Sequence, residues 1–388
     1  MFDKQQGSAE RHSLAGFYFF YFATIGVLLP YWNLDLKHLD FSARQIGELS
    51  AVLLATKIFA PYIWGWIADH TGERMRVIRI AVFIAMFIFS ATLFLHGYWS
   101  LLIVLTVFSF FWNATLPQFE AATMNTLGDK KHLYSRVRLW GSVGFILTAS
   151  LLAPVIEGYG IQHLPVIILI ILGITWLNTL LVKDTSQMQI KKTASSILKI
   201  CFQPSVFALL FATFLIQASH GPYYTFFSIY AESSGYSRSL IGQLWSLGVV
   251  AEVLVFFMVY RWLPQFGAKN LLIIAMLLTA IRWWLLAFYV EYLPMLIFTQ
   301  LLHAASYGLF HAAAIHLIDQ YFSGSVQGRG QALFSSIGFG LGGSLGSLVS
   351  GYTWNAIGPS YVYLLASGVA LLALIQFVWI TKPKNTLA

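Results

Sequence analysis

The 388-residue sequence has little cysteine and little charge. Its single cysteine, Cys201, excludes an internal disulfide, and no Cys and His spacing is typical of a structural metal site. Asp, Glu, Lys and Arg make up only 10% of the chain, whereas about 25% is usual in a soluble domain. Together with 58% hydrophobic residues and a mean hydropathy of +0.72, this scarcity predicts a membrane protein.

Nucleotide-binding motifs are also missing. The glycine-rich stretch SSIGFGLGGSLGSLVSG (335–351) lacks the Lys-Ser/Thr ending of a phosphate loop and lies in an apolar run, where small residues favour tight helix packing. No soluble domain or cofactor motif is found in the chain. ATP hydrolysis by this chain is therefore excluded as an energy source.

Apolar runs of about 20 residues, the length that crosses a bilayer as a helix, occupy most of the sequence. The predicted fold is an all-α polytopic membrane protein with twelve transmembrane helices. The first run is too long for a signal peptide and is expected to be retained. The predicted spans are 13–36, 44–67, 77–96, 99–122, 135–157, 162–182, 203–231, 239–262, 269–289, 293–317, 328–352 and 358–381.

Positive charge is unevenly distributed between the two predicted sides. Most of the 23 Lys and Arg residues fall at the ends of spans that share a side with the N-terminus. The positive-inside rule then places both termini in the cytoplasm and the chain in the inner, cytoplasmic membrane. The net charge of +8 is explained by this arrangement and does not indicate nucleic-acid binding.

The sequence contains an internal repeat. YSRSLIGQL (236–244) repeats FSARQIGEL (41–49), with Gly47 matching Gly242. Each of these segments lies at the start of the second span in its own set of six. We predict two parallel six-helix halves, 1–182 and 202–388, joined by a polar cytoplasmic linker at 183–201. Transporters built on this plan bind their substrate between the halves.

The loop between the second and third spans, GWIADHTGERMR (65–76), carries a motif. Gly65 permits close helix approach, Asp69 can accept hydrogen bonds, Gly72 makes the turn and Arg74 offers a partner. The loop resembles the G-x-x-x-D-x-x-G-x-[RK] signature of the major facilitator superfamily. The resemblance implies a gating latch; an ordinary positively charged loop is the alternative.

Five ionisable residues lie inside or at the edges of predicted spans: Lys57, Glu120, Arg138, Glu252 and Arg282. Each costs about 2.5–3.5 kcal/mol near a helix centre unless it is paired or hydrated. Lys57 and Glu252 occupy equivalent positions in the repeat, so we expect them to face each other. This pair is either a charge switch for proton coupling or a static salt bridge.

The sequences LPQFEA (116–121) and RVRLWGSVGF (136–145) resemble lactose-permease-type proton symporters. The resemblance implies that Glu120 and Arg138 hold substrate, with Phe145 in place of a stacking tryptophan. Arg282 and His303 resemble an arginine and a histidine of that family's proton pathway. Its following carboxylate is replaced by Ser306, and Glu252 lies about one turn from the matching acid. His311 and His316 are interpreted as structural.

A further resemblance, to the phenylpropionate permease branch, rests on RLWGSV (138–143), QASHGPYYTFFSIY (217–230) and LWSLGVVAEV (244–253). It implies proton-coupled import of an aromatic monocarboxylate such as 3-phenylpropionate. We predict that Gln217, His220, Tyr223 and Tyr224 line the cavity at a helix broken near Gly221 and Pro222, although packing roles would also explain them.

Other functions stay open at this level. A sugar or nucleoside proton symporter is the nearest alternative, and a non-transporting receptor or an intramembrane enzyme belongs to a different class. We expect a monomer whose partners are a small-molecule substrate, a proton and the lipid bilayer, with no nucleic acid, metal or cofactor.

Overall fold

The computed structural model describes residues 2–184 and 197–382, and every regular element in these ranges is a helix. The α-helices are α1 (Phe2–Val27), α2 (Asn33–His38), α3 (Ala43–Ala55), α4 (Ala60–Thr71), α5 (Arg74–Phe89), α6 (Tyr98–Leu127), α7 (Tyr134–Tyr159), α8 (Leu164–Leu181), α9 (Ile197–Cys201), α10 (Pro204–Ser219), α11 (Gly221–Ser233), α12 (Arg238–Tyr289), α13 (Leu293–Leu301), α14 (Phe310–Tyr321), α15 (Gln327–Ser335), α16 (Gly343–Ile357) and α17 (Pro359–Ile380). Single 3₁₀ turns occur at Thr56–Ile58, Ser90–Leu93, Gly128–Leu133, Ile161–His163 and Gly324–Val326, and π-helical turns at Leu28–Trp32, Ala304–Leu309 and Ser336–Gly342.

Ten continuous helical segments are long and apolar enough to cross a membrane. Two of them, Tyr98–Tyr159 and Arg238–Tyr289, contain 62 and 52 residues. At 1.5 Å per residue, each is between two and a half and just over three times as long as a bilayer core of about 30 Å is thick. Each also contains a residue with non-helical dihedral angles, Lys130 and Gly267 respectively. The all-α polytopic prediction is confirmed, while the count of twelve spans stays a prediction.

Several spans are broken near their middle. The predicted span at 203–231 is divided between α10 and α11 at His220, just before Pro222, as expected. The predicted span at 44–67 is also divided, because a 3₁₀ turn follows α3 and Pro61 lies in the first turn of α4. Of the predicted linker at 183–201, residues 185–196 lie outside the described part of the chain.

The two halves of the chain meet at one end of the bundle, which we call the closed end. It carries the turns at 39–42, 160–163, 234–237 and 358. There Gly47 of α3 packs on Gly351 of α16, and a Cβ added at Gly47 would lie 2.6 Å from the Gly351 Cα. Nearby, the Ser150 and Ser246 hydroxyls hydrogen-bond at 2.7 Å. Backbone contact this close requires small residues.

The opposite end, which carries the turns at 72–73, 128–133 and 322–326, is called the open end. Here the helices pack on neighbours from their own half: α4 on α5 and α6, and α15 on α14. Midway between the ends, the Ser336 hydroxyl donates to the carbonyl oxygen of Ile58 at 3.3 Å. The close backbone contacts described between the halves thus lie at the closed end.

Candidate functional site

The first cluster of the site lies in the first half of the chain, near the open end. Helix α6 carries Glu120, the chain reverses at Gly128, and α7 brings Arg138 back toward α6. The Arg138 Nε lies 3.8 Å from the Glu120 Oε1, and the Tyr134 hydroxyl donates to the same oxygen at 3.3 Å. The predicted proximity of Glu120 and Arg138 is confirmed.

Arg138 is held by rings rather than by hydrogen bonds. Its guanidinium carbon lies 4.0 Å from the ring centre of Phe22 and 5.5 Å from that of Tyr18. Gly141 makes room for this stack, because a Cβ there would lie 2.8 Å from the Arg138 Nη1 and from Phe22. Within residues 2–184 and 197–382, no hydrogen bond engages the Arg138 guanidinium, whose side chain is 31% exposed. Its donors are available to a ligand.

A second cluster lies deep in the second half of the chain, around the fully buried Arg282 of α12. Arg282 donates to the Thr299 carbonyl oxygen at 2.8 Å, to the Ser306 hydroxyl at 2.9 Å and to the His303 Nδ1 at 3.0 Å. The guanidinium also lies 4.2 Å from the Tyr223 ring centre. Ser306, which stands where the resemblance leads one to expect a carboxylate, thus supplies a neutral acceptor.

The hydrogen bond from Arg282 determines the state of His303. Because an arginine can only donate, the His303 Nδ1 must accept, and a neutral His303 then carries its proton on Nε2. That Nε2 faces the Glu252 Oε2 at 3.7 Å. His303 therefore links the Arg282 cluster to Glu252.

A stacked column of rings continues from His303 toward the open end. The Tyr307 ring lies 5.6 Å from His303 and 5.9 Å from His311, with interplanar angles of 10° and 5°. The sequence analysis did not identify Tyr307, which lies halfway between His303 and His311 in the chain. Tyr307 lies in the π-helical turn and is half-buried. The Tyr307 ring also lies 6.0 Å from the Phe339 ring.

The other predicted cavity residues are placed differently from one another. Tyr223 belongs to the Arg282 cluster and donates to the Gln300 Oε1 at 2.8 Å. Tyr224 is half-buried, and its ring lies 5.5 Å from that of Tyr223. Gln217 and His220 are buried in helix packing: Gln217 lies against Gly338 and Gly342, and the His220 Nδ1 bonds the Ile216 carbonyl oxygen. Phe145 is buried in the hydrophobic core of the first half.

The predicted pairing of Lys57 with Glu252 is wrong for this conformation. The Lys57 Nζ lies 5.9 Å from the Phe339 ring centre, and no ion pair joins it to Glu252 in the described residues. The physical reason is the 3₁₀ turn Thr56–Ile58, which removes Lys57 from a regular helix, whereas Glu252 lies in an unbroken stretch of α12.

The signature loop forms a compact set of contacts within the first half. Arg74 at the start of α5 bonds both Asp69 of α4 and Gln118 of α6. Gly65 lets this arrangement form, since a Cβ there would lie 3.1 Å from the Gln118 Nε2. Gly72 ends α4 with φ of 67°, a left-handed conformation that favours glycine. The loop therefore ties α4, α5 and α6 together.

With this geometry established, comparison with known proteins identifies the family. A family model described as the MFS_1 like family matches residues 12–365. The chain belongs to the MFS_1 like family. It is therefore a multi-pass membrane transporter of a small molecule and not an enzyme.

Two curated relatives of this MFS_1-like transporter illustrate the range of substrates. It is 29% identical to the "Probable 3-phenylpropionic acid transporter" of Escherichia coli (strain K12), over 90% of this chain and 92% of the relative. It is 26% identical to the "Maltose permease" of Geobacillus stearothermophilus, over 95% and 94%. The crystal structure of the nucleoside transporter NupG superposes with a TM-score of 0.82 at 19% identity, over 96% and 99%. That structural likeness shows the fold alone.

Proposed function

We propose that this transporter is a proton symporter that imports an aromatic monocarboxylate such as 3-phenylpropionate. The observation that carries the proposal is the Arg138 guanidinium, which lies between aromatic rings and makes no hydrogen bond in the described residues. An arginine fork binds a carboxylate through two parallel hydrogen bonds. The ring of Phe22 beside it provides an apolar surface for an aromatic ligand. The likeness to a probable 3-phenylpropionic acid transporter supports the same class.

In this proposal Glu120 positions Arg138 and is displaced when the substrate carboxylate binds. Their separation of 3.8 Å is longer than a direct hydrogen bond, so little is lost when a carboxylate replaces Glu120. In the same proposal the half-buried Tyr224 and Tyr307 of the second half serve as further hydrogen-bond donors to the substrate. Phe145, Gln217, His220 and Tyr223 act as the packed layer behind these groups.

The coupled proton is carried by Glu252. Its neighbour His303 is held with the Nε2 proton toward it, and Arg282 holds that tautomer. Lys57, which is half-buried and lies 5.9 Å from the Phe339 ring centre, acts on proton coupling from that side. The two halves, 1–182 and 202–388, move as units that open the two ends in alternation, and the Gly65, Asp69, Gly72 and Arg74 latch stabilises one state of the open end. The transporter lies in the inner membrane with both termini on the cytoplasmic side. It acts as a monomer.

The test is proton movement in de-energised vesicles after addition of 3-phenylpropionate and, in parallel, of maltose, a galactoside and a nucleoside. Symport predicts external alkalinisation with the acid alone, lost in Arg138→Gln. Arg136→Gln is the matched control, because Arg136 lies two residues earlier on α7 and is exposed.

Other outcomes are equally informative. A response to maltose or a nucleoside alone would replace the substrate and keep the coupling. Accumulation of 3-phenylpropionate without alkalinisation would refute proton coupling, and binding without accumulation would indicate a receptor.

A further inference from the structure

Asp35 is a buried carboxylate for which the site described above gives no role. It lies on α2, at the closed end, and is only 2% exposed. Within the described residues no hydrogen bond or ion pair engages its side chain. A carboxylate that is buried with no partner is costly when ionised, by several kcal/mol after relaxation.

The charged and titratable groups around α2 are already engaged with other partners or exposed. The elements packed against α2 are the turn at 28–32, α3, the turn at 161–163 and α11. Three tyrosines on these elements are hydrogen-bonded elsewhere: Tyr31 to the Ala149 carbonyl oxygen, Tyr223 to Gln300 and Tyr230 to Ser360, while Tyr224 is half-buried. The charged residues form ion pairs: Arg44 with Glu48 at 3.0 Å, and Glu232 with Lys37 at 3.2 Å and with Arg238 at 2.9 Å. His163, His38 and Asp40 are exposed. Arg238 acts on Asp35 electrostatically, but its guanidinium is held by Glu232.

The position of Asp35 links its burial to closure of this end. Two residues earlier, the Asn33 Nδ2 donates to the Thr225 carbonyl oxygen of α11 at 2.9 Å, and the Ser50 hydroxyl donates to the Asn33 Oδ1 at 3.1 Å. Asn33 thus joins α2 of the first half to α11 of the second. Separation of these helices would break that contact and hydrate Asp35.

We propose that Asp35 is a proton-binding site that must be occupied for the closed end to close. The proton comes from the medium on that side and returns to it when the end reopens, so this site sets the balance of conformations and does not carry the coupled proton. The sign follows from burial: the ionised form is stable only when hydrated, so raising the pH opens this end. Because the proposal concerns the closed end and not Glu252, it goes beyond the proposed symport.

The experiment measures the distance across the closed end without substrate. Spin labels are attached to Gln162→Cys and Asn355→Cys, which are exposed and lie in opposite halves, in a Cys201→Ser background in nanodiscs. For one proton, the ratio of open to closed molecules rises with pH by at most about tenfold per unit. In the parent protein we expect the fraction of molecules with a longer distance between the spin labels to increase as the pH rises.

Asp35→Asn keeps the shape and removes the charge, so the short distance should persist at every pH. Asp35→Ser, smaller and also neutral, should behave alike. The matched control is Asp40→Asn, which removes an exposed carboxylate five residues later, at a φ of 61° that Asn tolerates. It should retain the pH dependence of the parent.

Two results would overturn the proposal. One is a pH dependence in Asp35→Asn that equals that of the parent, and the other is a parent whose distances do not change with pH. Neither depends on transport, so both are distinguishable from failure of the proposed function.

Discussion

A methyl group added at Gly47 should make closure of the closed end less favourable. In Gly47→Ala the new Cβ would lie 2.6 Å from the Gly351 Cα and 2.9 Å from the Ser347 carbonyl oxygen. Both are main-chain atoms and cannot rotate away. An ordinary carbon–carbon contact is about 3.5–4.0 Å, so α3 and α16 must separate by about 1 Å.

Overpacking of this kind costs about 1–3 kcal/mol, and the cost applies only to the closed arrangement. The ratio of closed to open molecules at this end should therefore fall by about 5-fold to 150-fold. The separation also weakens the 2.7 Å hydrogen bond from the Tyr352 hydroxyl to the Glu48 Oε1, which spans the same two helices.

The assay is the spin-label distance across the closed end at fixed pH, together with the initial rate of substrate uptake. Gly368→Ala is the matched control, because nothing lies within 4 Å of a Cβ added at this helical glycine of α17. We expect a longer distance and slower uptake in Gly47→Ala alone. Equal distances and rates in the two variants would refute the idea that this glycine contact closes the end.

Three further predictions concern the site. If the Tyr307 hydroxyl donates to the substrate carboxylate, Tyr307→Phe should raise the KM for 3-phenylpropionate by about 10-fold to 150-fold, because this is the range for a hydrogen bond to a charged group. An unchanged KM would exclude that contact. Glu252→Gln should abolish alkalinisation and retain substrate counterflow. In the parent we expect 3-phenylpropionate to bind more tightly as the pH falls, and calorimetry should show that Glu252→Gln removes this pH dependence. Asp69→Asn should slow uptake without changing the dissociation constant, because it breaks the bond to Arg74 far from the ligand; weaker binding would contradict this.

The helical fold could be predicted from the sequence because apolar runs of bilayer length admit few alternatives. The repeat was informative about packing as well: both glycines that it matched, Gly47 and Gly242, lie where the halves touch, against Gly351 and the Ala149 carbonyl oxygen respectively. Such contacts tolerate no side chain, which is why glycine stands at both positions. The proximity of Glu120 to Arg138 was also accessible, since α6 and α7 are consecutive and joined by one short turn.

The predictions failed where helices depart from regular geometry. The repeat placed Lys57 opposite Glu252, but the turn at Thr56–Ile58 breaks the first-half helix and its counterpart in α12 is continuous. Tyr307 was missed because the search within the predicted spans considered charged residues and histidines. Its spacing of four residues from both His303 and His311 would have indicated a shared helix face. Asp35 was missed since a lone acid at the end of a span looks hydrated until its burial is known.

The proposed symport of an anion with a proton has a physical basis in the two clusters if they share one space. In the proposed symport Arg138 and Glu252 face the same poorly hydrated space, where opposite charges attract each other more strongly than in water. A substrate carboxylate bound to Arg138 cancels the arginine's charge, so a proton binds Glu252 more readily once the anion is present. Linkage requires the reverse as well: a protonated Glu252 makes the space less negative and strengthens binding of the anion. Coupling then needs no direct contact between proton and substrate, only one shared, poorly hydrated space. The loss of pH-dependent binding expected in Glu252→Gln follows from this reciprocity.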